Sequence, residues 1–267
     1  LFLFAPLPAP METVCLDVGQ GDGIYMRTSD GLRVMIDGGS TDVKQVGTYR
    51  ILPFLKSHGI AKIDYWFLSH LDQDHTSGFL EIVQSGYPVG EVVCADGMVR
   101  DQAYEKITTQ LSESKIKVRY LKQSDALRTK QACFRCLAPA SLPGADDRNA
   151  QSLVLLYEDH GYSCLFSGDI SQKEEQMLLA KQQVKKITLY KAAHHGSDSS
   201  NAQELLAALK PAVSVISCAK ENSYGHPGKE AVEAIETHSA LTRYTMHAGQ
   251  IRVVFRKGGV NVQTFRQ

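Results

Sequence analysis

After an apolar N-terminal stretch, the chain is built of short segments whose polarity alternates. Residues 13–18 and 24–27 have an extended pattern and flank the glycine-rich turn at 19–23, and a third run at 32–36 stops at Asp37-Gly38-Gly39. Three short strands punctuated in this way predict an antiparallel meander. The period then changes. Ile51, Leu52, Phe54 and Leu55 make one apolar helical face near 49–58, and the buried-type run 64–68 ends at Ser69-His70. Beyond it helices are expected at 76–85, 101–114, 171–183, 200–209 and 228–238. Strands are expected near 91–95, 116–121, 132–138, 152–158, 163–167, 186–191, 212–217 and 250–265. Two strand blocks, each with its own helices, predict an α/β fold with stacked sheets and outer helices, a four-layer αββα sandwich. The Pro/Gly/Asp stretch 138–149 reads as a long loop, where a site can sit on a rigid frame.

Residues 1–11 are too few to cross a bilayer, which takes about 20 apolar residues. They are read as a stub, a remnant of a membrane portion or of cloning, and 12–267 as one domain, with no repeat or low-complexity linker to divide it. The 29 Lys+Arg balance 29 Asp+Glu, so global attraction to phosphate is excluded and any nucleic-acid binding must be local. Six cysteines in 267 residues cannot staple a disulfide scaffold. The one close pair, Cys133 and Cys136, lacks the second pair a zinc ribbon needs, and the cysteines are read as reduced and mostly buried.

The strongest chemical signal is His70-Leu-Asp72-Gln-Asp74-His75, between a predicted strand and a predicted helix. In an extended segment residues i and i+2 point to one side, so His70 and Asp72 can grip one cation, while Asp74 and His75 face a neighbouring position after the chain turns. Imidazole with carboxylate suits zinc, manganese or iron, and the absence of thiolate argues against a closed structural zinc. The alternative is a polar loop with a helix cap.

A second piece is Asp169, at the tip of Leu165-Phe-Ser-Gly-Asp169, where a carboxylate can bridge two cations; alone, Gly-Asp is equally a helix cap. The third is His194-His195-Gly196-Ser197 beyond the strand at 187–190, which can place one imidazole on a metal and the other beside substrate as a proton donor. Strand tips on one edge of a sandwich converge, so these pieces support one another. His226, in Tyr224-Gly-His-Pro227, is a weaker candidate for contact with a phosphate or leaving group, and turn chemistry explains it as well. His58, His160, His238 and His247 stand in no comparable cluster.

With these residues in hand the chain resembles the metallo-β-lactamase superfamily, and more narrowly the hydrolase domain of the bacterial competence DNA-uptake channel family, the ComEC type. The resemblance covers roughly 12–265 and rests on Leu16-Asp-Val-Gly-Gln-Gly-Asp22, Ile36-Asp-Gly-Gly39, Ser69 to His75, Asn149-Ala-Gln-Ser-Leu153, Phe166-Ser-Gly-Asp169, His194 to Ser197 and Asn222 to Pro227. It implies the αββα sandwich with two divalent ions at one edge. His70 and Asp72 then belong to one metal, Asp74 and His75 to the other, Asp169 bridges, and His195 ligates with His194 nearby as general acid. Asp74, His194 and His226 form the implied catalytic set, and Asn149, Ser152 and Ser197 the implied substrate contacts.

Asp72 stands where the superfamily usually has a second histidine, and no third-motif histidine lies near Asn149. The first site is therefore richer in oxygen, which tilts the metal toward manganese or a weakly held zinc. The implied activity is phosphodiester hydrolysis by a DNA nuclease that degrades one strand, in competence and transformation. The implied setting is a membrane-associated domain on the cell-surface side, joined to a channel portion, with DNA, as a single strand, for partner and no nucleotide cofactor. Two alternatives remain at this point: a secreted phosphodiesterase acting on small or cell-wall phosphoesters, and a non-catalytic, metal-stabilised DNA-binding module. Arg100, Lys106, Lys115, Lys117, Arg119 and Lys122 offer a local basic row, or simply a solvated face.

Overall fold

The computed structural model describes residues 10–139, 147–182 and 184–266. Its strands, in chain order, are β1 (Glu12–Cys15), β2 (Ile24–Arg27), β3 (Arg33–Ile36), β4 (Ile63–Phe67), β5 (Val89–Ala95), β6 (Lys117–Leu121), β7 (Ala126–Arg128), β8 (Ala132–Ala138), β9 (Val154–Asp159), β10 (Tyr162–Phe166), β11 (Leu189–Lys191), β12 (Val213–Ile216), β13 (Thr242–Tyr244), β14 (Ile251–Arg256) and β15 (Gly259–Thr264). Its helices are α1 (Leu52–Ser57), α2 (Gln73–Gln84), α3 (Gln102–Glu113), α4 (Gln172–Ala180), α5 (Gln203–Leu209), α6 (Lys229–His238) and α7 (Thr245–Ala248).

One sheet has the order β15-β14-β1-β2-β3-β4-β5-β6 and the other β13-β12-β11-β10-β9-β8-β7. Each is laid down in the same way. The meander β1-β2-β3 is antiparallel and β3 to β6 then run parallel, while β7 to β10 are antiparallel and β10 to β13 parallel. The parallel steps need crossovers, supplied by α1 to α3 on the first sheet and by α4 to α6 on the second. The β14-β15 hairpin closes the chain back onto β1. This is the αββα sandwich that the alternation of elements predicts.

The sheets meet through rings such as Phe67 stacked on Phe134 at 5.1 Å. The core between them continues under α2 and α3 through Phe79, Ile82, Val83, Ile107 and Leu111. A second core lies beneath α4 to α6, around Leu165, Tyr190, Leu205, Leu209, Ile216 and Ile235. Helix starts follow local chemistry: Asp101 accepts from the amides of Ala103 and Tyr104 to cap α3, and Ser171 with Glu174 forms a capping box on α4.

Some expectations are corrected. Met11, counted with the stub, is buried and its carbonyl accepts from the Phe255 amide; residues 1–9 lie outside the described residues. The single strand expected at 250–265 is a hairpin, turned where Lys257-Gly258 interrupts the alternation. The elements β7, β13 and α7, three or four residues each, are too short to carry a period. Of the loop 138–149, residues 140–146 lie outside the described residues, as does residue 183 at the expected end of α4. All six cysteines are free thiols. Among the described residues no helix is long and apolar enough to cross a membrane.

Candidate metal centre

Strand register brings the chemistry together. Ile36 pairs with Phe67, and Phe166 with Lys191, at the carboxyl ends of parallel strand pairs. His70 follows Phe67 by three residues, Asp169 follows Phe166 by three and His194 follows Lys191 by three, so equal offsets deliver them to one rim. The open ends of parallel strands are where such folds bind ligands.

There His75 Nε2 lies 3.3 Å from Asp169 Oδ1, His195 Nε2 lies 3.3 Å from Asp74 Oδ2 and 3.5 Å from Asp169 Oδ2, and His70 Nε2 lies 3.6 Å from Asp72 Oδ2 and 3.9 Å from Asp169 Oδ2. Asp74, His75, Asp169 and His195 can each offer a ligand atom within 4.8 Å of the others. His194 is more exposed, with Nε2 3.8 Å from Asp169 Oδ2.

The far side of each buried ring fixes its orientation. His75 Nδ1 donates to Asp37 Oδ2 at 2.9 Å. His195 Nδ1 donates to the Ser217 carbonyl at 3.1 Å. His70 Nδ1 lies 3.1 Å from Ser69 Oγ, whose own proton goes to Asp37. With all three Nδ1 atoms protonated, the Nε2 lone pairs face inward. Nε2 of His70, His75 and His195 and Oδ1 of Asp169 are buried with no hydrogen-bond partner. Buried polar atoms gathered without partners are costly, and a divalent cation taking the place of the imidazole protons satisfies all of them at once. Burial alone would lower the pKa of His75 and His195, yet Asp169, helped by Asp37 and Asp22 respectively, holds both well above the ordinary imidazole value. The same field attracts any cation.

Asp22, Asp37 and His75 also lie close enough to share an ion. Here a cation is already built in: Lys191 Nζ, fully buried, is 2.8 Å from Asp22 Oδ2. Asp37 meanwhile accepts from the Ser69 amide and hydroxyl, both at 2.7 Å. These residues support the site from behind.

Asp72 stands at the N-cap of α2 but makes no capping bond. Its carboxylate faces His70 on one side and Arg148 Nη1, at 2.5 Å, on the other; Arg148 also holds Asp101. Close backbone approach is needed beside it. A Cβ on Gly39 would fall 2.5 Å from main-chain atoms of Gln73, Asp74 and His75, so only glycine lets the 37–39 turn brace the ligand-bearing end of α2.

The implied substrate contacts are placed differently from expectation. Ser152 is fully buried behind His70 and Asp169, with Oγ 3.4 Å from His70 Nδ1 and accepting from the Asp169 amide at 3.1 Å. It braces the His70 ring and the Asp169 main chain from behind. Ser197 is buried and shares its hydroxyl with that of Ser199. Asn149 receives the Ser152 amide on its carbonyl. His226 borders the cleft, its ring 5.2 Å from His194. Of the expected basic row, Arg119 is held by Glu91 and Arg100 sits over the Tyr104 ring, while Lys106 lines a groove of about 460 Å³ together with Arg148, Gln73 and Thr76.

The family model described as a β-lactamase superfamily domain matches residues 32–247. The chain belongs to the metallo-β-lactamase superfamily. Within it the chain is similar to ComE operon protein 3 of Bacillus subtilis, 30% identical over 269 residues that cover 96% of this chain and 34% of that protein. It is also similar to competence protein ComA of Neisseria gonorrhoeae, 28% identical over 254 residues that cover 94% and 33%. The chain thus spans about a third of the length of these relatives. Among solved structures, the metallo-β-lactamase fold protein YhfI of Bacillus subtilis superposes with a TM-score of 0.57 at 11% identity, covering 88% of this chain and 96% of that one, a likeness of fold.

Within this superfamily frame, sequence reasoning assigned no role to Asp22, Asp37, Lys191, Arg148 or Asn201. The first two stand in glycine-rich turns quoted for the resemblance, and an acidic residue closing a strand was the available signal. Asn201 had none. It accepts from Ala193 N and donates to the carbonyls of Ala193 and Ser197. It thereby clamps a loop in which His194 (φ 48°) and His195 (φ 54°) both adopt the left-handed conformation, at a cost of order 1–3 kcal/mol each.

Proposed function

We propose that this domain is a binuclear, metal-dependent phosphodiester hydrolase, a nuclease acting on a DNA single strand during uptake in competence. The observation that carries the reading is the convergence of three oriented Nε2 atoms on the buried Asp169 carboxylate, whose Oδ1 has no hydrogen-bond partner, at an open sheet edge. His70, Asp72 and Asp169 would hold one ion, and Asp74, His75, His195 and Asp169 the other. The carboxylate-rich first site favours manganese, with zinc the alternative. Bound there, divalent ions supply Lewis acidity toward phosphoryl oxygens and make water a better nucleophile at neutral pH.

The chain's own groups would then handle protons and position. Gln20 Oε1 accepts from the Ala219 amide, which turns its Nε2 toward His226 Nδ1 at 3.4 Å. His226 Nδ1 is therefore the acceptor and Nε2 carries the proton. Burial, then the neighbouring histidines His194 and His195, lower its pKa to about 4, so at neutral pH it serves as a neutral N–H donor to a phosphate or leaving oxygen. His194, the more exposed of the adjacent pair, would protonate the leaving group. Asp74 would share the second ion with His195.

Similarity to a competence protein supports a role in competence; DNA as substrate and a membrane-associated setting on the cell-surface side, next to a channel portion, belong to the same proposal. Lys106 adds a local positive charge beside the cleft despite a net charge of zero. The test is cleavage of linear single- and double-stranded DNA with manganese, zinc or chelator. Manganese-supported cleavage is expected, lost with chelator and reduced at least 100-fold in Asp72→Ala and Asp169→Ala. Equal cleavage by wild type and both variants would overturn the reading.

A further inference from the structure

The turn that carries His226 also carries Tyr224, one of the few large apolar side chains left in water, with 56% of its surface exposed. Its ring lies nearly parallel to that of His226, at 25° with centroids 5.8 Å apart, and His226 in turn is 5.2 Å from His194 at the metal cluster. The tyrosine thus has an imidazole along one side and is otherwise largely exposed, one ring removed from the cluster through His226.

The turn is held firmly. Asn222 Oδ1 accepts from the amides of Tyr224 and His226, both at 3.1 Å, and Asn222 Nδ2 donates to the carbonyls of Ala219 and His226. Gly225, at φ 73°, supplies the left-handed residue that reverses the chain between the two rings. Farther on, the Gly228 amide donates to the Gly196 carbonyl, tying this turn to the loop of His194 and His195. Four hydrogen bonds from one asparagine are a large outlay for an exposed loop that only presents an aromatic ring to solvent.

We propose that Tyr224 is a stacking platform for a nucleobase of single-stranded nucleic acid, setting the nucleotide beside the scissile phosphate. The proposal rests on the phosphodiesterase reading for the place of that phosphate. Every nucleobase offers a π-face, and a base on an aromatic ring contributes about 1–3 kcal/mol without sequence preference. On the flank formed by α2 and α3, Lys106 offers a cation for the backbone, while Arg148 beside it is already paired with Asp72 and Asp101. An aromatic contact on one side and a cation on the other let a chain of zero net charge hold a single strand locally.

The test is binding, without turnover, in chelator. Fluorescence anisotropy with labelled oligo-dT and with an abasic oligomer of equal length and charge would be measured for wild type, Tyr224→Ala and Tyr224→Trp. Wild type is expected to bind oligo-dT at least fivefold more tightly than the abasic strand. Tyr224→Ala should lose that preference by weakening oligo-dT alone, and Tyr224→Trp should keep it. Equal affinity of wild type for both strands, no binding to either, or equal weakening of both by Tyr224→Ala would overturn the platform. DNA cleavage without base discrimination would remove the platform and leave the nuclease reading, whereas base discrimination without cleavage would do the reverse.

Discussion

Lys191 and Asp22 form a buried ion pair directly behind a candidate ligand. Lys191 Nζ is 2.8 Å from Asp22 Oδ2 and 2.9 Å from the Ala192 carbonyl, and Asp22 Oδ1 lies 3.6 Å from His195 Nδ1. Burial alone would raise the Asp22 pKa, but Lys191 holds it well below the carboxylate range, so the pair stays ionised. Lys191→Met strands that charge in the interior, and breaking such a pair costs about 3–5 kcal/mol. Thermal unfolding without metal should show a midpoint lowered by about 6–20 °C, at roughly 2–4 °C per kcal/mol for a chain of this size. The double variant Asp22→Asn with Lys191→Met should recover most of that loss while binding manganese about 10–100-fold more weakly by calorimetric titration, because the support behind His195 is gone. A double variant as unstable as the single would show that the pair itself does not set stability. None of this was legible in the sequence: Lys191 ends a short apolar run and Asp22 sits in a glycine turn, 169 positions away.

At the level of elements the periodic pattern identified most strands and the long helices, because two-sided burial and amphipathic faces leave strong periods, as in α2 and α3. It missed β7, β13 and α7, which are set by pairing and packing partners alone. The motifs of the candidate site were legible because unusual residue types stand together at strand ends; the residues behind them were not, because Asp37 and His75 are brought together only by folding. Glu175 of α4 illustrates such a hidden link. It accepts from the Asn201 and Ala202 amides, at 2.8 and 2.7 Å, at the start of α5, and Asn201 clamps the His194-His195 loop. Burial raises the Glu175 pKa from 4.5 to about 7, against those two amides. The unfolded chain therefore loses this proton at lower pH than the folded one, so Glu175 ionisation costs stability as pH rises from about 4.5 to about 7, by on the order of 3 kcal/mol. Glu175→Gln removes the titration and weakens one amide bond. Its stability deficit relative to wild type, measured by denaturant unfolding, should be larger at pH 5 than at pH 8. A deficit that is constant across this range, or that grows with pH, would contradict the assignment.

The whole molecule separates what holds the fold from what the site requires. Two cores pack the sheets and helices, and neither depends on His70, His75, Asp169 or His195. The chain is therefore expected to fold without metal and to carry a dense cluster of imidazoles and carboxylates at its rim. A cation that binds only the folded state adds stability by mass action, about 2.7 kcal/mol at a free concentration 100 times its Kd. Manganese at that level should raise the unfolding midpoint by about 5–10 °C, chelator should reverse it, and Asp169→Asn should abolish the response. The pH dependence has a definite sign. In the metal-free protein Asp169, with Asp37 or Asp22, holds the pKa of His75 and His195 well above the ordinary value, so an entering ion must displace protons from both. The metal-induced shift should therefore grow as pH rises from 6 to 8.5, with measurable proton release by calorimetry in buffers of different ionisation enthalpy. A shift independent of pH, or one that persists in Asp169→Asn, would place the cation at another site on the molecule.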